Sequence, residues 1–125
     1  MILDTNALSA IADGDAVLEP TLRKATKIAV PVIVLGEYRY GIQHSRHRQR
    51  YQQWLTESIR YYQVLDVDED TAIFYAALRT ELKNSGTPIP SNDVWIAALC
   101  RQHSYPLLSR DRHFDVVRGI HRIGW

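Results

Sequence analysis

The sequence predicts an α/β fold built on a mostly parallel sheet of four or five strands, covered by helices on both faces. Two observations carry this. Short apolar, β-rich runs alternate with helical stretches along the whole chain, the pattern of strand–helix–strand units. No repeat, low-complexity tract or linker divides it, so the 125 residues are expected to form one domain, 1–125, large enough to build a core without staples.

Ile2-Leu3 opens the chain as a short strand, with Asp4-Thr5-Asn6 behind it as a cap signal for a helix. Residues 15–26 read as helical, with Pro20 imposing a kink or a fresh start. KIAVPV (27–32) is the second strand, and Glu37 lies about one turn into the helix that follows. Residues 46–59 are helical in composition, with Tyr51, Trp54 and Leu55 on one stripe. YQVLDV (62–67) is the third strand. Asp68-Glu69-Asp70 then places acid in a first helical turn, where the helix dipole favours it. Ile73, Phe74, Ala77, Leu78 and Leu82 follow at spacings of three and four, and Gly86 ends the run. Pro90 marks the next boundary, with Ser91 and Asn92 as expected N-caps and Asp93 in the first turn. PLLS (106–109) is the fourth strand, and residues 121–123 form a weak edge strand.

Composition excludes several function classes. Fifteen basic against fourteen acidic residues leave a net charge of +1, so no global field points to nucleic acid and any polyanion site must be local. Cys100 is the only cysteine, which excludes an internal disulfide and suits a reducing compartment. The longest apolar run, IAVPVIVL (28–35), is too short to span a bilayer. MILDTN has neither the basic nor the long apolar region of a signal peptide, so a soluble cytoplasmic protein is expected.

In open parallel sheets, ligands bind beyond the carboxyl ends of the strands. Asp4 follows the first strand, Asp111 follows the fourth in LLSRD, Glu37 lies early in the helix after the second, and Asp93 opens the helix leading to the fourth. Each has an ordinary structural reading alone, as a cap, a first-turn acid or a turn residue. Glu37 shares a helical face with Ile33 and is expected to point inward, where a lone carboxylate is costly. Together the acids converge on one sheet edge. Converging carboxylates repel one another, which leads either to protonation or to capture of a divalent cation. Oxygen ligands without His or Cys suit Mg²⁺ or Mn²⁺ rather than zinc, the usual equipment for displacement at phosphorus. The residues thus point to a metal-dependent phosphodiesterase.

MILDTNALS, PVIVLGEYRYG, GTPIPSNDVWIAAL and PLLSRDRHFDVV, in this order and closing on IHRIGW, resemble PIN-domain ribonucleases, and among them the toxins of VapBC toxin–antitoxin modules. The resemblance covers essentially the whole chain. It implies a three-layer α/β/α sandwich and an acidic quartet that binds Mg²⁺ or Mn²⁺, with Asp4 and Asp93 as primary ligands and Glu37 and Asp111 completing the pocket directly or through water. Asp115 is a further late carboxylate, and Asn6, Asn92 and Ser109 fall where small polar residues support the ligands. It further implies an endoribonuclease giving 5′-phosphate and 3′-hydroxyl ends, a homodimer, and a small VapB-like antitoxin that blocks the pocket and binds DNA. Tyr38 departs from the family pattern, standing where Leu usually follows the helix Glu.

Arg110, Arg112 and His113 flank the expected pocket and, like Arg39 and Tyr40 near Glu37, are candidates for RNA contact. HSRHRQRYQQW (44–54) mixes basic and aromatic residues as an RNA surface can, although a solvated helix face with Tyr51 and Trp54 turned inward is the preferred reading. The five His lack zinc-ligand spacing, and Cys100 reads as a small buried residue. A phosphoaspartate hydrolase wants D-x-D after the first strand, where this chain has Asp4 and Asn6. A receiver-like domain wants Lys after the late strand, where Arg110 and Asp111 stand. The alternative from another class is a PIN scaffold that binds RNA or a partner without cutting, against which the intact set of acids argues.

Overall fold

The computed structural model describes residues Met1 to Trp125. Five strands form one sheet in the order β3-β2-β1-β4-β5: β1 (Ile2–Leu3), β2 (Ala29–Pro31), β3 (Gln63–Leu65), β4 (Leu107–Leu108) and β5 (Arg122–Ile123). Every pairing is parallel, with Ile2 beside Ala29 and Leu107, and Leu3 beside Leu108. β1 spans Ile2–Leu3 as its apolar run suggests, whereas the other four strands are one to three residues shorter than theirs. Lys27 and Ile28 lie before the ladder of β2, and Val32 has already entered a helix. Ile2, Leu3, Ala29, Val30, Leu107 and Leu108 are completely buried. Consecutive buried residues, rather than alternating ones, are what a sheet covered on both faces requires.

The helices are α1 (Thr5–Ala12), α2 (Glu19–Lys24), α3 (Val32–Gln43), α4 (Arg48–Ser58), α5 (Glu69–Asn84) and α6 (Ser91–His103). The chain steps β1→β2→β3 in one direction and returns from β3 to β4 in the other. Right-handed crossovers therefore place α1, α3 and α4, which pack on each other, opposite the α5–α6 pair. The result is three layers. The region read as one helix over 15–26 divides into a 3-10 turn, Ala16–Leu18, and α2, with Pro20 in the first turn of the fresh helix. No helix is long and apolar enough to cross a membrane.

Helix starts differ in how they are made. Asp68 and Thr71 form a reciprocal capping box on α5, and the buried Thr71 hydroxyl also donates to Gln102 of α6. Tyr75 and Trp95 stack at 3.9 Å across the same pair. By contrast, α6 starts from Pro90 with no side-chain cap, and Ser91 and Asn92 stand inside the helix rather than capping it. Pro90 stands at the N-cap with extended backbone, where its missing N–H costs no helical hydrogen bond. Pro31 stands in the same way before α3.

The segment after β4 coils into a 3-10 turn, Arg112–Val116, anchored by the completely buried Phe114. Arg122 of β5 fixes it from the other side, through a fork to Asp115 and a hydrogen bond from Nη1 to the Ser109 carbonyl. Truncation of the buried ring in Phe114→Ala is expected to cost about 3–5 kcal/mol, read as a lower urea midpoint. Tyr61→Ala, at a side chain that is 79% exposed, is expected to change stability by less than about 0.5 kcal/mol.

Candidate active site

β1 and β4 are neighbours whose onward connections leave in opposite directions, and the crevice at their carboxyl ends is where such a sheet holds ligands. Asp4 lies there and is only 4% exposed. Its Oδ1 accepts from the Thr5 backbone N–H at 2.8 Å, so it does cap α1. Its Oδ2 accepts from Ser109 Oγ at 2.7 Å and from Asn6 Nδ2 at 3.3 Å. Ser109, itself fully buried, accepts from the Asp111 backbone N–H, while Asn6 Oδ1 accepts from the Arg110 backbone N–H. The two small polar residues thus bind the ends of β1 and β4 together and orient Asp4.

Asp93, Glu37 and Asp111 face the same basin, which has a volume of about 710 Å³ and is lined by no Lys or Arg. Asp93 projects from the first turn of α6, its side chain 16% exposed. Burial raises its pKa, and the charges of Asp4 and Asp111 push the same way against the opposing influence of His113. Glu37 is half-buried at the rim rather than pointing into the core, because α3 presents it to the crevice. Its Oε1 accepts from Thr5 Oγ1 at 3.3 Å, and burial, then Asp4 and Asp93, raise its pKa against that hydrogen bond. Asp111 is the most exposed of the four, at 49%. Asn92 lines the basin from α6.

Other candidates stand elsewhere. Asp115 is held in the fork with Arg122 and does not line the basin. Arg110 pairs with Asp15 at 3.1 Å and lies over the Trp125 ring at 4.6 Å, which ties the end of the chain down. Arg39 and Arg112 are exposed. In the 44–54 segment, Trp54 packs against Tyr38 and Tyr51 donates to Asp13, so both aromatics serve the interior side of α4.

His113 enters the site although no zinc spacing marks it. Its Nε2 lies 2.7 Å from Asp93 Oδ2 and its Nδ1 lies 3.3 Å from Asp111 Oδ1. Ligand atoms of Asp93, Asp111 and His113 all fall within 4.8 Å of one another. The available signal was Asp111-x-His113-Phe114: a buried aromatic in a tight turn fixes which way the residue before it points.

The electrostatics carry a sign that can be measured. A carboxyl whose folded-state pKa is raised contributes stability that is present at low pH and lost as pH rises through that value. Without a cation, Asp93→Asn and Glu37→Gln are therefore expected to melt higher than wild type at pH 7 in chelator. The gap should close as pH falls towards about 4. Lower melting temperatures for both variants at pH 7 would contradict the desolvation account.

The description "PIN domain" matches residues 1–120. Ribonuclease VapC5 of Mycobacterium tuberculosis is 32% identical over 120 residues, spanning 94% of this chain and 87% of the relative. Among solved structures, the chain superposes on VapBC2 from Rickettsia felis bound to a promoter DNA fragment with a TM-score of 0.88, at 26% identity over 99% of this chain and 97% of that one. DNA-bound VapBC from Salmonella typhimurium gives a TM-score of 0.87, at 26% identity over 99% and 96%. The fold, the ordered motifs and these matches lead to one assignment: the chain belongs to the PIN-domain family.

Proposed function

We propose that this chain is a divalent-cation-dependent endoribonuclease and the toxin of a type II toxin–antitoxin pair, with residues 1–125 acting as one PIN-like domain. The observation that carries this is the meeting of Asp4, Glu37, Asp93 and Asp111, from four separate segments, in one basin without Lys or Arg. Relatives named as VapC ribonucleases, and the likeness to VapBC complexes, support the same reading.

The donor set fits a hard cation. Carboxylate oxygens dominate it, and burial first, then the neighbouring acids, raise the pKa values of Asp93 and Glu37, so a bound cation would relieve both. Asp4, Asp93, Glu37 and Asp111 would hold Mg²⁺ or Mn²⁺, with Asn6 and Ser109 orienting Asp4 and Asn92 beside Asp93. When bound, the cation supplies Lewis acidity that acidifies water and offsets charge on the scissile phosphate. Asp4 is immobilised by its three donors and stays in place during the reaction. Glu37, at the rim and with a raised pKa, is suited to accept on a carboxylate oxygen the proton that the attacking water gives up. Water adds to phosphorus opposite the 3′ oxygen, the P–O3′ bond breaks, and the departing 3′ oxygen takes a proton from solvent, giving a 5′-phosphate and a 3′-hydroxyl. Exposed Arg39 and Arg112 are available to the RNA backbone, whereas Arg110 is committed to Asp15 and Trp125.

The working unit in this reading is a cytoplasmic homodimer, silenced by a small VapB-like antitoxin that covers the basin and carries the DNA-binding part. A scaffold that binds RNA without cutting gains no support from a site that keeps all four acids. Partner-free protein is expected to cleave RNA in Mg²⁺ or Mn²⁺ and to stop on addition of EDTA. Asp4→Asn and Asp93→Asn should reduce cleavage to background while keeping the far-UV circular dichroism of wild type. Cleavage at wild-type rate by either folded variant, or undiminished cleavage in EDTA, would overturn the proposal.

A further inference from the structure

We propose that His113 is itself a ligand of the divalent cation, through Nε2, making the site a mixed nitrogen–oxygen one that favours Mn²⁺ over Mg²⁺. This rests on the cation site proposed above and refines its chemistry. Nε2 is shielded from solvent and has no directed hydrogen bond, yet it lies 2.7 Å from Asp93 Oδ2. A neutral imidazole with its Nε2 lone pair beside a carboxylate oxygen is repulsive, and a cation held by both atoms would remove that repulsion. Neighbouring ligands of a six-coordinate ion with bonds near 2.1 Å lie roughly 3 Å apart, close to the separation seen here.

The other ring nitrogen completes the pattern. Nδ1 faces Asp111 Oδ1 at 3.3 Å, so the ring lies between two carboxylates with Nε2 on the Asp93 side. Metal-binding imidazoles are oriented by carboxylates in this way. The ring is also held mechanically, because the buried Phe114 follows it at a centroid distance of 4.9 Å. Imidazole nitrogen suits transition metals, whereas Mg²⁺ keeps to oxygen. His113 is the only histidine lining the basin, so a nitrogen signal from a bound ion has one source.

Mn²⁺ added to the partner-free full chain and examined by pulsed electron paramagnetic resonance provides the test. Wild type is expected to show ¹⁴N modulation from a coordinated imidazole, and ¹⁵N-histidine labelling should convert it to a ¹⁵N signal without any mutation. His113→Asn should remove the modulation and weaken Mn²⁺ binding by roughly tenfold or more, at least the loss seen when a ligand's supporting partner is removed, with a smaller change for Mg²⁺. Bound Mn²⁺ without nitrogen modulation in wild type would overturn this inference and leave a carboxylate-only site standing. No Mn²⁺ binding at all would overturn the cation site, and this inference with it.

Discussion

Asp4 is a carboxylate with almost no contact with solvent, and its three hydrogen bonds organise everything around it. A buried charge is tolerated only where donors replace the water it has lost. Here the donors come from the start of α1 and from Ser109 at the end of β4. The pairing of Leu3 with Leu108 brings those two strand ends level. A one-residue slip in that register would withdraw the Ser109 hydroxyl and leave the charge short of a donor. The parallel sheet and the acidic centre are thus two aspects of one constraint.

Around Asp4 the protein works against its own stability. Asp93 and Glu37 are drawn into partial burial beside another acid, and no Lys or Arg enters the basin to relieve them. Basic residues nearby are used elsewhere: Arg122 on Asp115 and Ser109, Arg110 on Asp15 and Trp125. The surroundings compensate through rigidity, with Phe114 and Arg122 fixing the turn after β4, and the Thr71–Gln102 hydrogen bond and the Tyr75–Trp95 stack tying α5 to α6.

Much of this was legible in the chain. Asp4 could be located because it directly follows an apolar strand, Asp111 because it lies just beyond another, and Asp93 because Pro90 fixes where its helix begins. The parallel sheet with helices on both faces followed from alternating strands and helices. The strand order and strand ends did not, since ladder pairing depends on neighbours and not on apolar runs. What could not be read locally depended on distant partners. Asp115 differs from Asp111 only in having Arg122 within reach, and Arg110 turns away from the basin because Asp15 and Trp125 lie beside it. His113 reads as an RNA contact beside the pocket, and its approach to Asp93 and Asp111 is missed for a related reason. A search for histidines spaced as zinc ligands passes over one whose companions are two aspartates, one of them twenty residues away.

The central claim is that these acids gather to hold a divalent cation in the crevice between β1 and β4. Anomalous scattering from crystals of the partner-free protein soaked in Mn²⁺ tests it most directly. The account expects a manganese peak at bonding distance, about 2.1–2.3 Å, from carboxylate oxygens of Asp4 and Asp93. A fully soaked crystal with an accessible crevice and no peak there, or with manganese bound only elsewhere on the surface, would contradict it.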